Sequence, residues 1–367
     1  MNLKKEIKIV HENHEKCIEI IEKSFLKNYF SETLTDIQYN GSDFFGQDNE
    51  LGRYKLDITI SNEEVFSILC QLANYALKPF SSQYPILDIA FGNYRLSAMH
   101  PSLARNNNEK VTTFSIRKIQ PSLKIKDNDK TLCPSFVFNL LTILIKNYQS
   151  IIISGLTGSG KTELQKYLIS KTNVTDRIIL IEDSYETYIK EIYPQKDITS
   201  WIINSQNQNL SLLIKTSLRH NPDWIIVAET RGAEAFEMIQ SISTGHPIIT
   251  TIHSDSASNS LHRLIKMIQK SIEFNEKNML QDVATYLKIG VHIRKQLRGK
   301  KIVRNITEVV EYIPTSSGYK TNYLYQLNEN NLPIYHPMSE ELYQKIQKNK
   351  FKTTDISVFI PKEEVDE

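Results

Sequence analysis

The sequence predicts an α/β protein in two domains: a small α/β N-terminal domain, then a larger one built on a parallel sheet. Three observations carry that expectation. The 367 residues exceed what one hydrophobic core usually organises. From residue 150 onward, continuous apolar runs alternate with helical patterns, as a sheet covered on both faces requires. A glycine-rich turn, Gly155 to Thr162, sits between the first such run and the first such helix.

The elements follow in chain order. "NHEKCIEIIEKSFLKNYF" has helical spacing and "YKLDITI" reads as a strand. "SNEEVFSILCQLANYALKPF" reads as a helix opened by a Ser61–Glu64 capping box and stopped before Pro79. "PILDIAFGNYRLSAMH" alternates about Gly92-Asn93 and predicts a hairpin, with "VTTFSIRKI" as a further strand. These give an N-terminal α/β domain over residues 1–118. The hydrophilic stretch "RKIQPSLKIKDNDKTLCP", with two prolines, places a linker at 119–134. The second domain then runs over 135–367 and includes a C-terminal tail. Its strands are "SIIIS", "RIILIED", "DWIIVAE" and "PIITTIHS", and its helices "KTELQKYLISK", "LSLLIKTSLRH" and "GAEAFEMIQSIST".

Composition narrows the partners. A formal net charge of +2 offers no basic field of the kind a nucleic-acid binder presents, so direct nucleic-acid contact is not expected. Cys17, Cys70 and Cys133 are dispersed and odd in number, which fits neither a disulfide framework nor a structural zinc site and suggests a reducing compartment. The start has no apolar core after its charges, and the longest apolar stretch, "FVFNLLTILI", is too short to span a bilayer; no leader and no transmembrane segment are expected.

Gly155, Gly158, Gly160, Lys161 and Thr162 fit the spacing G-x-x-x-x-G-K-[ST], with Thr157 and Ser159 inside the same loop. Glycines let backbone N–H groups converge on phosphate oxygens, and the following helix adds its positive end. In that reading ATP is the ligand, Lys161 reaches the β and γ phosphates, and the Thr162 hydroxyl coordinates Mg²⁺. An ordinary glycine turn is the alternative, and the flanking strand and helix argue against it. Neither an Asn-Lys-x-Asp motif nor a Leu-Ser-Gly-Gly signature is present, which speaks against GTPases and ABC ATPases.

Hydrolysis needs a group that orients water, and acids at strand ends supply it. "DWIIVAET" delivers Glu229, and "RIILIEDSYE" delivers Glu182 and Asp183; Asp183 with Glu186 also reads as a helix-starting capping box. Ala228 stands where an aspartate often holds the metal, and Asp223 lies at the wrong end of its strand. Mg²⁺ would therefore rest on Thr162, phosphate oxygens and waters oriented by Glu182 or Glu229.

"LRHNPDWIIVAETRGAEAF", "TGHPIITTIHSDSA" and "IEDSYE" resemble the Walker B, His-box and Asp-box segments of the type II/type IV secretion ATPase superfamily. "RGAEAF" is closer to its conjugative type IV secretion and Tad-pilus branch, and "NYRLSAMHPS" and "FSIRK" resemble segments that carry its phosphate-binding arginines. The resemblance covers about residues 80 to 312 (a motif-based extent). It implies a RecA-like P-loop NTPase core and a homo-hexameric ring of two-domain subunits. Such a ring is cytoplasmic and peripheral at the inner face of the membrane, working with inner-membrane secretion or pilus components. It also implies Glu229 as the catalytic glutamate, Glu182 as its helper, Arg95 and Arg117 on the γ-phosphate, and His246 and His253 as phosphate sensors. Two departures stand out: Ala228 replaces a usual glycine, and the tetracysteine zinc insertion of some type II relatives is absent.

Plainer roles remain open for several residues. His246 and His253 lack a carboxylate in a metal-ligand frame, so no further metal is expected, and either could be a structural histidine. Arg95 and Arg117 could simply be paired or solvated on a hairpin face. The basic run "RKQLRGKKIVR" reads as a hairpin turn about Gly299, solvated or facing an acidic partner or anionic lipid. The expectation is thus an ATP hydrolase that powers type IV secretion, conjugation or related pilus assembly. The alternatives are a DNA-stimulated RecA-like translocase and a type IV pilus assembly or retraction ATPase.

Overall fold

The computed structural model describes residues 3–203, 210–232, 234–270, 272–347 and 355–361, with backbone alone over 3–10. The chain divides into two compact units: Met1–Pro121 with Leu297–Ile302, and Ser122–Gln296 with Val303–Glu367.

The first unit is a six-stranded antiparallel sheet with two helices on one face. Its strands are β1 (Leu34–Tyr39), β2 (Phe44–Asp48), β3 (Gly52–Leu56), β4 (Ile86–Phe91), β5 (Tyr94–Met99) and, after a two-residue ribbon of β6 (Arg105–Asn106) and β7 (Glu109–Lys110), β8 (Thr113–Lys118). Their order is β3-β2-β1-β8-β5-β4. Helices α1 (Leu3–Lys23) and α2 (Asn62–Tyr75) send Cys17, Ile21, Val65, Leu69 and Leu72 onto Ile37, Leu87, Leu96 and Ile116. Strict alternation sorts β5: Tyr94, Leu96 and Ala98 are buried, while Arg95, Ser97 and Met99 are exposed. The Ser61–Glu64 capping box and the Gly92-Asn93 hairpin form as expected.

Other boundaries moved. The expected helix at 13–30 starts at Leu3, ends at Lys23 and gives way to a 3₁₀ turn over Phe25–Asn28, because the Ser24 hydroxyl caps that turn through Leu26 N–H. The strand expected at 54–60 ends at Leu56. β1 and β2 carried no clear signal. A bulge between Leu34 and Asp36 interrupts the alternation of β1, and Gly46 sits in β2 where a Cβ would meet Leu34 Cδ1 at 2.7 Å.

The second unit is a nine-stranded mixed sheet. Its strands are β9 (Ile151–Ser154), β10 (Arg177–Glu182), β11 (Asp197–Ile202), β12 (Trp224–Val227), β13 (Ile248–Ile252), β14 (Ile289–Arg298), β15 (Lys301–Thr315), β16 (Gly318–Leu327) and β17 (Pro333–Tyr335), in the order β11-β10-β12-β13-β9-β14-β15-β16-β17. The first six positions pair in parallel, as expected, while β15, β16 and β17 extend the sheet by antiparallel pairing. The helices are α3 (Ser135–Lys146), α4 (Lys161–Ser170), α5 (Ile189–Ile192), α6 (Leu210–Ser217), α7 (Ala235–Ser243), α8 (Ser260–Ile268), α9 (Glu276–Tyr286) and α10 (Glu340–Gln347). Ala233, within the helix expected from residue 232, lies outside the described residues, as do parts of the C-terminal tail.

Both faces of the parallel strands are covered, which explains their unbroken apolar runs. Ile151, Ile153, Ile178, Leu180, Trp224 and Ile226 pack with α3, α4 and α10; Ile152, Ile179, Ile181, Ile225 and Val227 pack with α6, α7, α8 and α9. Each such buried side chain contributes about 1.5–3 kcal/mol, so the edge from which the loops depart is rigid. The segment read as a linker packs here as well. Ile125, Leu132 and Cys133 enter this unit's core, and Tyr167 Oη donates to Asp127 Oδ1 at 2.7 Å. Among the described residues, no helix is long and apolar enough to cross a membrane.

Candidate functional site

Parallel pairing puts the carboxyl ends of β9, β10, β12 and β13 at one edge, and Ser154 aligns with Ile252 and with His292. The glycine loop leaves β9 at that edge and enters α4. Gly158 (φ +72°) and Gly160 (φ +102°) adopt left-handed backbone that L side chains resist. Gly155 is required for a different reason: a Cβ there would lie 2.4 Å from Ile293 O and 2.5 Å from Ser159 Oγ. Ser159 is fully buried and its Oγ has no hydrogen-bond partner, whereas Thr157 and Thr162 are exposed. The Lys161 ammonium is turned onto its own loop, donating to Gly155 O at 2.9 Å and Leu156 O at 3.2 Å. Burial pushes the Lys161 pKa down, with Glu229 opposing that shift.

Glu229, just past β12, meets two partners of this site. Its Oε2 accepts from Arg231 Nη2 at 2.8 Å, and its Oε1 lies 2.9 Å from His253 Nε2, a close contact not aligned as a hydrogen bond. His253 Nδ1 is 3.4 Å from Lys161 Nζ. Because an ammonium can only donate, Nδ1 accepts and the ring proton belongs on Nε2, facing Glu229. His253 is held below its ordinary pKa by burial and by Lys161, so the ring is neutral near pH 7. Burial would raise the Glu229 carboxyl, but the hydrogen bond and charge of Arg231, with the charge of Lys161, leave it below its ordinary value. Glu229 is therefore an ionised acceptor at the mouth of the loop.

Glu182 is placed differently from the expectation of a catalytic helper. It is buried, and both its oxygens are engaged in its own connection: Oε1 accepts from Glu186 N–H (3.2 Å) and Thr187 N–H (3.0 Å), and Oε2 accepts from Thr187 Oγ1 (3.1 Å). Burial pushes its carboxyl up to about 7 against those hydrogen bonds. In this conformation it shapes the 183–187 turn. No helix starts at Asp183, so the capping-box reading is not what forms; Asp183 instead pairs with Arg231 Nη1 at 2.7 Å.

The two histidines separate. His253 follows the carboxyl end of β13 and joins the site, whereas His246 precedes its amino end and contacts Thr244 Oγ1 at 3.1 Å. Seven residues of mostly extended chain put them roughly 20 Å apart, at opposite edges of the sheet, so His246 does not join Lys161 and Glu229 within the subunit. Arg95 and Arg117 belong to the first unit, directly opposite each other on its helix-free face. Arg117 Nε pairs with Asp36 Oδ1 at 2.6 Å, and Asp36 is its cross-strand neighbour on the other side. Like charges in register disfavour a sheet unless an anion intervenes, and Asp36 supplies one such charge.

Three residues that had no assigned role enter the site. Arg231 bridges Asp183 and Glu229 from a turn, where spacing gives no hint of its direction. Gln165, fully buried on α4, donates to Val227 O at 3.0 Å and Ile249 O at 3.4 Å and so ties the loop's helix to β12 and β13. His292 Nδ1 lies 2.9 Å from Ser154 Oγ, and burial pushes its pKa down to about 4, so it is neutral. A lone histidine in the apolar run "IGVHI" was the available signal.

The donor set suits a polyphosphate. A loop with three glycines, an ammonium held by loop carbonyls and His253, and the amino end of α4 converge on one place. A divalent cation beside it would draw on the Thr162 hydroxyl. Among the described residues, no group of three or more His, Cys, Asp or Glu forms an alternative cage.

The profile of the family described as "Type II/IV secretion system protein" matches residues 94–296, more than half of the chain. The chain belongs to this family. Among curated relatives, an uncharacterized protein of Bacillus anthracis is 32% identical over 291 residues, covering 76% of this chain and 65% of that protein. Type IV secretion system protein VirB11 of Bartonella quintana is 28% identical over 251 residues, covering 58% and 69%. The conjugal transfer protein TrbB of Rhizobium radiobacter is 30% identical over 189 residues, covering 50% and 55%. The chain thus spans about two thirds or less of the length of these curated relatives. Among solved structures, the Yersinia pseudotuberculosis ATPase DotB matches with a TM-score of 0.59 at 16% identity, covering 76% of this chain and 75% of that one. The pilus retraction motor PilT matches at 0.55 and 18%, covering 92% and 86%. At these identities the likeness speaks for the fold, which is the RecA-like core of the secretion ATPases.

Proposed function

We propose that this secretion-family protein hydrolyses ATP and works as a homo-hexameric motor for type IV secretion, conjugation or a related pilus, docked on membrane components from the cytoplasmic side. The observation that carries the reading is the convergence of the glycine loop, Lys161, His253 and the ionised Glu229 at one edge of the sheet. Loop amides and Lys161, once released from Gly155 O and Leu156 O, bind the phosphates. Magnesium, held through Thr162, would neutralise phosphate charge. Glu229 accepts a proton from water as it attacks, and Arg231 and His253 hold its carboxylate in place. Arg95 and Arg117 are further candidates for the γ-phosphate.

Phosphate release and native mass measured on the same sample test this. Lys161→Ala should lose nucleotide affinity and turnover; Glu229→Gln should bind ATP yet turn over at least about a hundredfold more slowly, the scale of one general-base contact. Normal hydrolysis by either variant, or an active chain that remains monomeric at every concentration, would refute the proposal. Turnover that rises with DNA and falls steeply with salt would favour a translocase instead.

A further inference from the structure

The basic hairpin reaches the glycine loop. Side chains two apart on a strand share a face, so Ile293 and Lys295 point the same way from β14, as do Arg304 and Ile306 from β15. Ile293 and Ile306 are buried in the core beside Leu164 and Leu168 of α4. One step nearer the hairpin turn, the same two faces carry the basic pair. Arg304 Nε donates to Gly158 O at 3.2 Å, and a Cβ on Gly160 would meet Arg304 Cδ at 3.3 Å. A Cβ on Gly158 would meet Lys295 Nζ at 3.4 Å. Lys295 is exposed, and among the described residues no carboxylate pairs with it.

A single loop thus gathers Lys161, Lys295, Arg304 and the amino end of α4. Positive charges this close repel one another, and a polyanion seated among them removes that cost. We propose that Lys295 is a direct polyphosphate contact of the nucleotide site and that Arg304 is a positioning residue, fixing the loop through the Gly158 carbonyl. The inference rests on the nucleotide reading above. It gives the basic run a role inside its own subunit, where solvent or an outside acidic partner had been the expectation.

The test is calorimetric titration of the full chain with ADP and with inorganic pyrophosphate across a salt series, beside ATP turnover. Lys295→Ala should weaken both ligands about tenfold, flatten the salt dependence, and raise KM with kcat changed less than about twofold, as loss of uniform binding does. Lys295→Arg should restore the affinity. Arg304→Ala should also weaken ADP, and Arg304→Lys should recover part of it, because an ammonium can still donate to Gly158 O. Wild-type affinity in Lys295→Ala and Arg304→Ala, with normal binding by the wild type, would overturn this inference alone. Failure of the wild type to bind ADP would overturn the nucleotide reading and this inference with it.

Discussion

Replacing Glu182 with glutamine separates charge from shape at this position. Glutamine keeps the three contacts: its carbonyl oxygen can accept from Glu186 and Thr187 N–H, and its amide can donate to Thr187 Oγ1, where the carboxylate accepted. What disappears is titration. Burial raises the carboxyl to about 7 from its ordinary value of 4.5. The folded protein therefore keeps the proton over a range in which the unfolded chain releases it, and stability falls as pH rises through that window. The loss amounts to about 3 kcal/mol by pH 7. Below pH 4.5 both states are protonated, and the two proteins should differ little through this group. The assay is urea unfolding followed by tryptophan fluorescence, because Trp201 and Trp224 both belong to the second unit. Glu182→Gln should gain on the wild type as pH rises, reaching about 1 M in urea midpoint near neutrality, given a slope of a few kcal/mol per molar. A stability difference that stays constant between pH 4.5 and 7.5 (roughly the window set by the two values) would refute the argument.

Two further outcomes follow from the same geometry. Arg231→Ala removes the principal group that lowers the Glu229 carboxyl, leaving burial to raise it; the acid limb of the turnover–pH profile should move to higher pH, and an unmoved limb would show that Arg231 does not tune Glu229. Gly155→Ala forces a Cβ to within 2.4 Å of the Ile293 carbonyl, a backbone atom that cannot rotate away; thermal unfolding should show a loss of about 1–3 kcal/mol, together with weakened nucleotide affinity, and a variant of wild-type stability would contradict the close approach.

Much of this architecture was legible before any coordinates. Ile151 to Ile153, Ile178 to Ile181 and Trp224 to Val227 are apolar at every position, and such runs have no place except in a sheet covered on both faces. The glycine loop announced itself through backbone requirements that no other residue type meets, and Glu229 through its position at a strand end. β1 and β2 were not legible, because a bulge and a glycine interrupt their period. The hairpin about Gly299 was legible and forms between β14 and β15, but the continuation of the sheet into β16 and β17 was not read.

The sequence by itself determined the edge of the sheet on which chemistry is possible, because periodicity and glycine placement are local properties, while its motif segments carried the resemblance to the family and its RecA-like core. Tertiary structure alone decided which side chains meet there. It brought His253 to Lys161 and Glu229 while leaving His246 at the far edge, since a strand carries its two ends apart. It turned Glu182 inward, joined Arg231 to Asp183 across 48 residues, and set Arg304 against a loop 146 residues away. Such pairings depend on strand order and side-chain direction, and neither is encoded in the spacing of residues along the chain.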